Sequence, residues 1–174
     1  MNIHYYRRGF NLVELMTTVT VASILLAIGV PALNSVQLQI RAKSNISTIQ
    51  HSLKFARNMA INYGARVTVC PLLDGKCHKN WQDGYAIFVD TGSVNQFNSG
   101  DILLKQIGAF HREDIIQYNR NGVRFLPDGL ASGTNGTLTY CPKSIDSEHS
   151  KAVIVNQAGR ARMSKKKNIK CKAM

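Results

Sequence analysis

At 174 residues the chain has room for one globular domain and one long additional helix. Its net charge of +12 comes from 22 basic and 10 acidic residues, spread in a way that excludes a uniformly basic body. Residues 10–150 are nearly balanced, with 12 basic and 10 acidic groups, whereas residues 151–174 hold eight basic groups and no acid.

The N-terminal stretch reads Arg7-Arg8-Gly9-Phe10-Asn11-Leu12-Val13-Glu14-Leu15. From Leu15 to Ile40 there is no charged residue over 26 positions. As a helix this run would extend about 39 Å, enough to cross a hydrocarbon core of about 30 Å. A single carboxylate at the mouth of such a segment is costly in lipid and marks a functional position. An ordinary secretory leader places its apolar stretch before the cleavage site; here the glycine precedes it. One account is a plain single-span anchor, with Arg7 and Arg8 holding the N-terminus in the cytoplasm.

The arrangement resembles the class III leader of type IV pilins and type II secretion pseudopilins. That resemblance implies cutting by a prepilin peptidase between Gly9 and Phe10, and methylation of the new amino terminus at Phe10. It also implies an assembly role for Glu14, which would neutralise the terminal amine of a neighbouring subunit. A generic anchor gives no reason for this glycine, phenylalanine and glutamate at this spacing. The chain then divides into a leader (1–9), a membrane-spanning and assembly half of the helix (10–40), and the remainder (41–174). The remainder comprises an amphipathic helix half and a β-domain with a basic edge.

Past Ile40, residues Ile46, Ile49, Leu53, Ala56, Ala60 and Tyr63 recur at helical spacing and predict an apolar stripe that packs on a domain. Arg41, Lys43, Lys54 and Arg57 fall between stripe positions, predicting that they face water or neighbouring subunits. Pro31 should kink or loosen the helix, and Gly64 should end it.

Strand patterns follow: Arg66–Cys70, Gly84–Asp90, Ile102–Ile107, Ile115–Tyr118, Val123–Leu126, Thr137–Cys141 and Lys151–Val155. Asn121-Gly122, Pro127-Asp128-Gly129 and Ser132–Gly136 supply turns between them, and residues 91–100 predict an exposed loop. The expected fold is α+β: a long N-terminal helix on one or two small antiparallel sheets.

Four cysteines in an exported chain favour disulfides, and four allow three pairings. Cys70 and Cys77 flank an Asp-Gly turn, so a local bridge is economical and leaves Cys141 with Cys171. The second bridge would close a 31-residue loop, worth about 3.5–4 kcal/mol in the chain-entropy model. A zinc site competes with this, but no C-x2-C or H-x3-5-H spacing is present. The sequence predicts no metal and no cofactor. G-x-S-x-G, H-E-x-x-H and P-loop patterns are lacking, the five histidines are scattered, and His111–Asp114 is most simply a polar turn. Catalysis is not expected.

Several segments resemble the FimT/GspH branch of the minor pilins: Arg66–Pro71, Trp81–Asp90, Phe125–Gly129, Leu138–Cys141, Val153–Asn156 and Gly159-Arg160-Ala161-Arg162. The last matches a G-R-x-R element that FimT-type pilins use to bind DNA in natural transformation. Independently of that resemblance, arginines two apart in an extended segment share one face, about 6.6–6.8 Å apart. Guanidinium groups grip phosphate oxygens bidentately. Lys165, Lys166, Lys167, Lys170 and Lys172 add a diffuse positive field, joined by Lys143 and Lys151. Gly159 permits the turn that presents the arginines. Basic tails are otherwise ordinarily solvated faces. The implied partners are double-stranded DNA, other pilins, the prepilin peptidase and the bacterial inner membrane. The globular domain would be periplasmic before assembly and extracellular on the pilus afterwards. The alternative is a purely structural minor pilin or a GspH-like pseudopilin whose positive edge docks on acidic neighbours.

Overall fold

The structure is a computed structural model that describes residues 9, 11–131 and 133–173. Phe10 and the leader arginines lie outside the described residues. Contacts divide the chain into two compact units, Met1–Gln37 and Leu38–Met174.

Within the first unit lies the apolar part of helix α1 (Leu12–Tyr63), which is long and apolar enough to cross a membrane. Glu14 is exposed in its first turn. The hydroxyls of Thr17, Thr18, Thr20 and Ser23 donate to carbonyls three or four residues back, at 2.7–3.0 Å. This satisfies their polar groups inside the helix itself, which an apolar surround demands. Pro31 does not end α1, which continues for another 32 residues.

In the second unit, α1 buries Ala42, Ile46, Ile49, Leu53, Ala56 and Ala60, at steps of four and three. Three of these are alanines, so the helix backbone lies close to the sheets it covers. Tyr63, expected on the stripe, is 51% exposed because the helix ends there. Gly64 stops it in a Schellman arrangement, with Ala65 N donating to Ala60 O and Gly64 N to Ile61 O, each at 3.3 Å.

Ten strands follow: β1 (Val67–Cys70), β2 (Leu72–Leu73), β3 (Lys76–Cys77), β4 (Tyr85–Val89), β5 (Ile102–Ile107), β6 (Ile115–Tyr118), β7 (Val123–Phe125), β8 (Gly136–Cys141), β9 (Lys151–Val155) and β10 (Ala161–Met163). They form two four-stranded sheets, ordered β5-β4-β1-β7 and β10-β9-β8-β6, and a small β2–β3 hairpin. All pairings within them are antiparallel. Alternation puts Val67, Val69, Ile87, Val123 and Phe125 of one sheet, and Leu138, Tyr140, Val153, Val155 and Ala161 of the other, into one core with the helix stripe. Trp81, in a single 3-10 turn (Trp81–Asp83), is buried in the same core and packs edge-on against Tyr118.

The two bridges favoured by the sequence are present, Cys70–Cys77 and Cys141–Cys171, with no free cysteine among the described residues. The first closes the β2–β3 hairpin, against which Phe97 folds back to meet Phe88 at 5.3 Å. The 91–100 segment is therefore half-buried at its centre instead of wholly exposed.

Two of the helix cations expected to face water or neighbouring subunits are instead half-buried and bonded within the domain. Arg41 pairs with Asp114 at 2.7 Å, and Arg57 Nε donates to Gly129 O at 3.0 Å. Lys43 and Lys54 are exposed, as expected. Asp114 is buried and is not simply part of a polar turn: it accepts from Arg41, from the Tyr140 hydroxyl and from Lys143 N. Asn45 donates to the same Tyr140 hydroxyl at 2.7 Å, so helix, β8 and the segment before β6 meet at one carboxylate.

Candidate nucleic-acid interface

The β9–β10 hairpin positions the two arginines. Its loop, 156–159, is closed by Gly159 N donating to Asn156 O at 3.0 Å and Arg160 N to Asn156 Oδ1 at 2.8 Å. Asn156 N returns a bond to Arg160 O at 3.2 Å. Gly159 is buried with φ of 72°, the left-handed region that favours glycine. Ala131 N donates to Gln157 O at 2.9 Å, which docks the loop on the 126–131 turn. Gln50 Nε2 of α1 donates to Ala161 O at 3.2 Å and so covers the free edge of β10.

This framework fixes which way each side chain points. Ala161 is 5% exposed and belongs to the core, so Arg160 and Arg162 on either side leave on the outer face, where both are exposed. Across the sheet Arg162 pairs with Ile154, and Ile154 with Thr137, so the arginine flanks a shallow outer surface that carries no acid in that row.

The lysine-rich tail then travels from the β10 edge to the opposite, β6 edge of the same sheet. Ser164 N is held by Ala152 O at 2.8 Å, and Cys171 N by Ile145 O at 3.0 Å beside the Cys141–Cys171 bridge. At the far end Lys172 and Gln117 exchange two bonds, of 2.8 and 2.7 Å. Lys165, Lys166 and Lys167 are exposed between these anchors. Lys170 differs from its neighbours: it makes an exposed pair with Asp146 at 2.9 Å, so its charge is partly answered within the domain. Among the described residues Arg160, Arg162, Lys165, Lys166 and Lys167 form no ion pair. Lys143 and Lys151 are exposed, one at a left-handed turn and one at the start of β9.

Sequence reasoning missed Arg57. Its Nε lies 3.0 Å from where a Cβ on Gly159 would stand, so a third guanidinium, from α1, supports the hairpin from behind. No local signal announces this, because Arg57 and Gly129 are 72 residues apart. Among the described residues no group of His, Cys, Asp or Glu is arranged to hold a metal. What the site offers is one pair of exposed guanidinium groups on a fixed backbone, with looser ammonium groups nearby, suited to oxyanions spaced along a polymer.

A family model described as type II transport protein GspH matches residues 45–159. The match ends at Gly159, so it includes neither arginine nor the tail. Two crystal forms of the type IV minor pilin FimU from Pseudomonas aeruginosa (strain PAO1) are similar in fold. The form in space group P21 gives a TM-score of 0.57 at 16% identity, covering 71% of this chain and 87% of that one. The P65 form gives 0.55 at 17% identity, covering 70% and 91%. Among curated proteins no sequence matches significantly.

Proposed function

The chain belongs to the GspH family and shares the fold of the type IV minor pilin FimU, and on that premise we propose that it is a minor pilin that captures extracellular double-stranded DNA for uptake. The family and fold are those of structural subunits, not of enzymes, and the apolar half of α1 fits a single-pass membrane anchor. In this proposal a prepilin peptidase cuts after Gly9, Phe10 becomes the methylated terminus and Glu14 guides assembly. The domain stands in the periplasm before it is built with other pilins into an extracellular pilus.

The observation that carries the proposal is the exposure of Arg160 and Arg162 on one face, beside an acid-free run of lysines held down by the Cys141–Cys171 bridge. Phosphate contacts position a protein without reading bases, so binding is sequence-blind, salt-sensitive and weak per subunit. Several subunits, or repeated contacts at a pilus tip, add by avidity. Lys165, Lys166 and Lys167 are auxiliary contacts; Lys170 contributes less because Asp146 competes for it.

A second reading has one specific support. The matching family model is described as a type II transport protein, which favours a pseudopilin or priming subunit whose basic edge meets acidic neighbours. The two readings part in a transformation assay on cells carrying Arg160→Ala/Arg162→Ala in place of the native chain. The DNA-capture reading requires DNA uptake to collapse while pilus number is unchanged. If pilus number falls in step with uptake, the edge serves subunit packing.

A further inference from the structure

A second cluster of cations lies on the other sheet. Arg120 sits in the β6–β7 turn, and Arg124 follows on β7 between Val123 and Phe125, both fully buried, so its side chain leaves on the face away from the core. Lys79 comes from the segment just beyond the Cys70–Cys77 bridge. Together with Asn95, Asn119 and Thr134 these three line a cleft of about 280 Å³, and no carboxylate is among its lining residues. Among the described residues none of the three cations makes an ion pair. Asp90, whose carboxylate meets Thr68 next to Arg124 in the strand register, is already matched by Arg66 at 2.8 Å.

The walls are fixed. Gly122 rests on the disulfide, since a Cβ there would lie 2.9 Å from the Cβ of Cys70. Thr134 Oγ1 accepts from Arg124 N at 2.9 Å and donates to Arg124 O at 3.1 Å, which pins the loop that closes the other side. Asn119 Oδ1 accepts from Thr137 N at 3.3 Å. A charge on β7 alone would be explained as protection of an edge strand. That explanation leaves out Arg120, on a turn, and Lys79, on a separate segment, brought to the same opening. Three like charges without a counter-charge repel one another, and a bound dianion offsets that cost.

We propose that this cleft is a second anion site that binds a phosphoryl group, independent of the β9–β10 hairpin. Two guanidinium groups and one ammonium suit the tetrahedral oxyanion, and the volume admits one phosphoryl group and its immediate substituent. The same chemistry is offered by a DNA phosphodiester and by a small phosphorylated ligand.

The test is calorimetric titration of the full chain in neutral detergent with inorganic pyrophosphate. Arg120→Gln/Arg124→Gln should weaken binding by about tenfold or more, whereas Arg160→Ala/Arg162→Ala should change it by no more than about twofold. Lys79→Gln alters an exposed residue, keeps the test valid if the double change unfolds the domain, and should weaken binding by about threefold. Displacement of pyrophosphate by a short duplex in the Arg160→Ala/Arg162→Ala chain would identify nucleic acid as the source, and failure of the duplex to compete a small phosphorylated ligand. Equal affinity in wild type, Lys79→Gln and Arg120→Gln/Arg124→Gln overturns the proposal. So does loss confined to the hairpin variant, or no pyrophosphate binding by the wild type.

Discussion

Gly159 lies with its α-carbon pressed against the carbonyl oxygen of Gly129, so that a Cβ at this position would fall far inside van der Waals contact. The glycine of the G-R-x-R element is thus required by packing as well as by its φ of 72°. Through Gly129 the hairpin that carries Arg160 is seated on α1, because Arg57 binds the same carbonyl.

Gly159→Ala should therefore destabilise the domain by at least about 2 kcal/mol, combining left-handed strain with a backbone clash. Urea denaturation measures it. DNA binding should weaken in the same variant under conditions where it remains folded, because the arginines move with the loop. An unchanged unfolding midpoint would show that the 126–131 turn yields freely.

Removing the carboxylate at Asp114 isolates a second junction. Asp114→Ala leaves the Arg41 guanidinium, the Tyr140 hydroxyl and Lys143 N without their shared acceptor. The expected cost is about 2–4 kcal/mol. A double-mutant cycle with Arg41→Ala should show coupling between the two, and strict additivity would count against the network.

Alkaline pH attacks the core through its tyrosines. Burial pushes the Tyr85 hydroxyl up to about 12, only partly opposed by the Ser52 hydroxyl. Tyr118 and Tyr140 are also raised, chiefly by burial, with Asp114 adding to the effect at Tyr140. A folded-state pKa above the unfolded value, about 10, means that the stabilisation is complete below pH 10 and lost as pH climbs toward 12. Tyrosinate absorbance and near-ultraviolet circular dichroism should change together in that window. Free titration of these tyrosines near pH 10 with the fold intact would contradict the assignment.

How much of this was legible in the sequence differs by element. The runs Ile102–Ile107, Ile115–Tyr118 and Lys151–Val155 coincide with β5, β6 and β9 end to end, because β-prone apolar residues there give way to turn formers that act locally. The helix stripe was legible for the same reason, up to Tyr63. What escaped depends on distant partners. Arg41 and Asp114 are 73 residues apart, so neither the burial of the acid nor the inward turn of the arginine has a local signature. The two exposed arginines could be assigned to one face from alternation alone, but the Gly129 carbonyl and Arg57 behind them required the fold. The cation cleft was hidden likewise, since Lys79 comes from a loop and Arg124 from a strand 45 residues further along the chain.

Assembly offers a separate check on the N-terminal region. Glu14 is exposed near the start of the apolar helix, where an unpaired carboxylate is costly in lipid. Glu14→Ala should still be cleaved after Gly9 but should enter filaments poorly, as seen by immunoblotting sheared pili against the membrane fraction. Normal incorporation would remove the assembly role proposed for this residue.

DNA affinity measured across salt concentration tests the central claim most directly, using the full chain in neutral detergent and a duplex of arbitrary sequence. Binding should weaken steeply as salt rises, and Arg160→Ala/Arg162→Ala should both lower affinity and reduce the slope of log affinity against log salt by about 2. Equal affinity and equal slope in the two proteins, or no binding by either in low salt, would contradict the account.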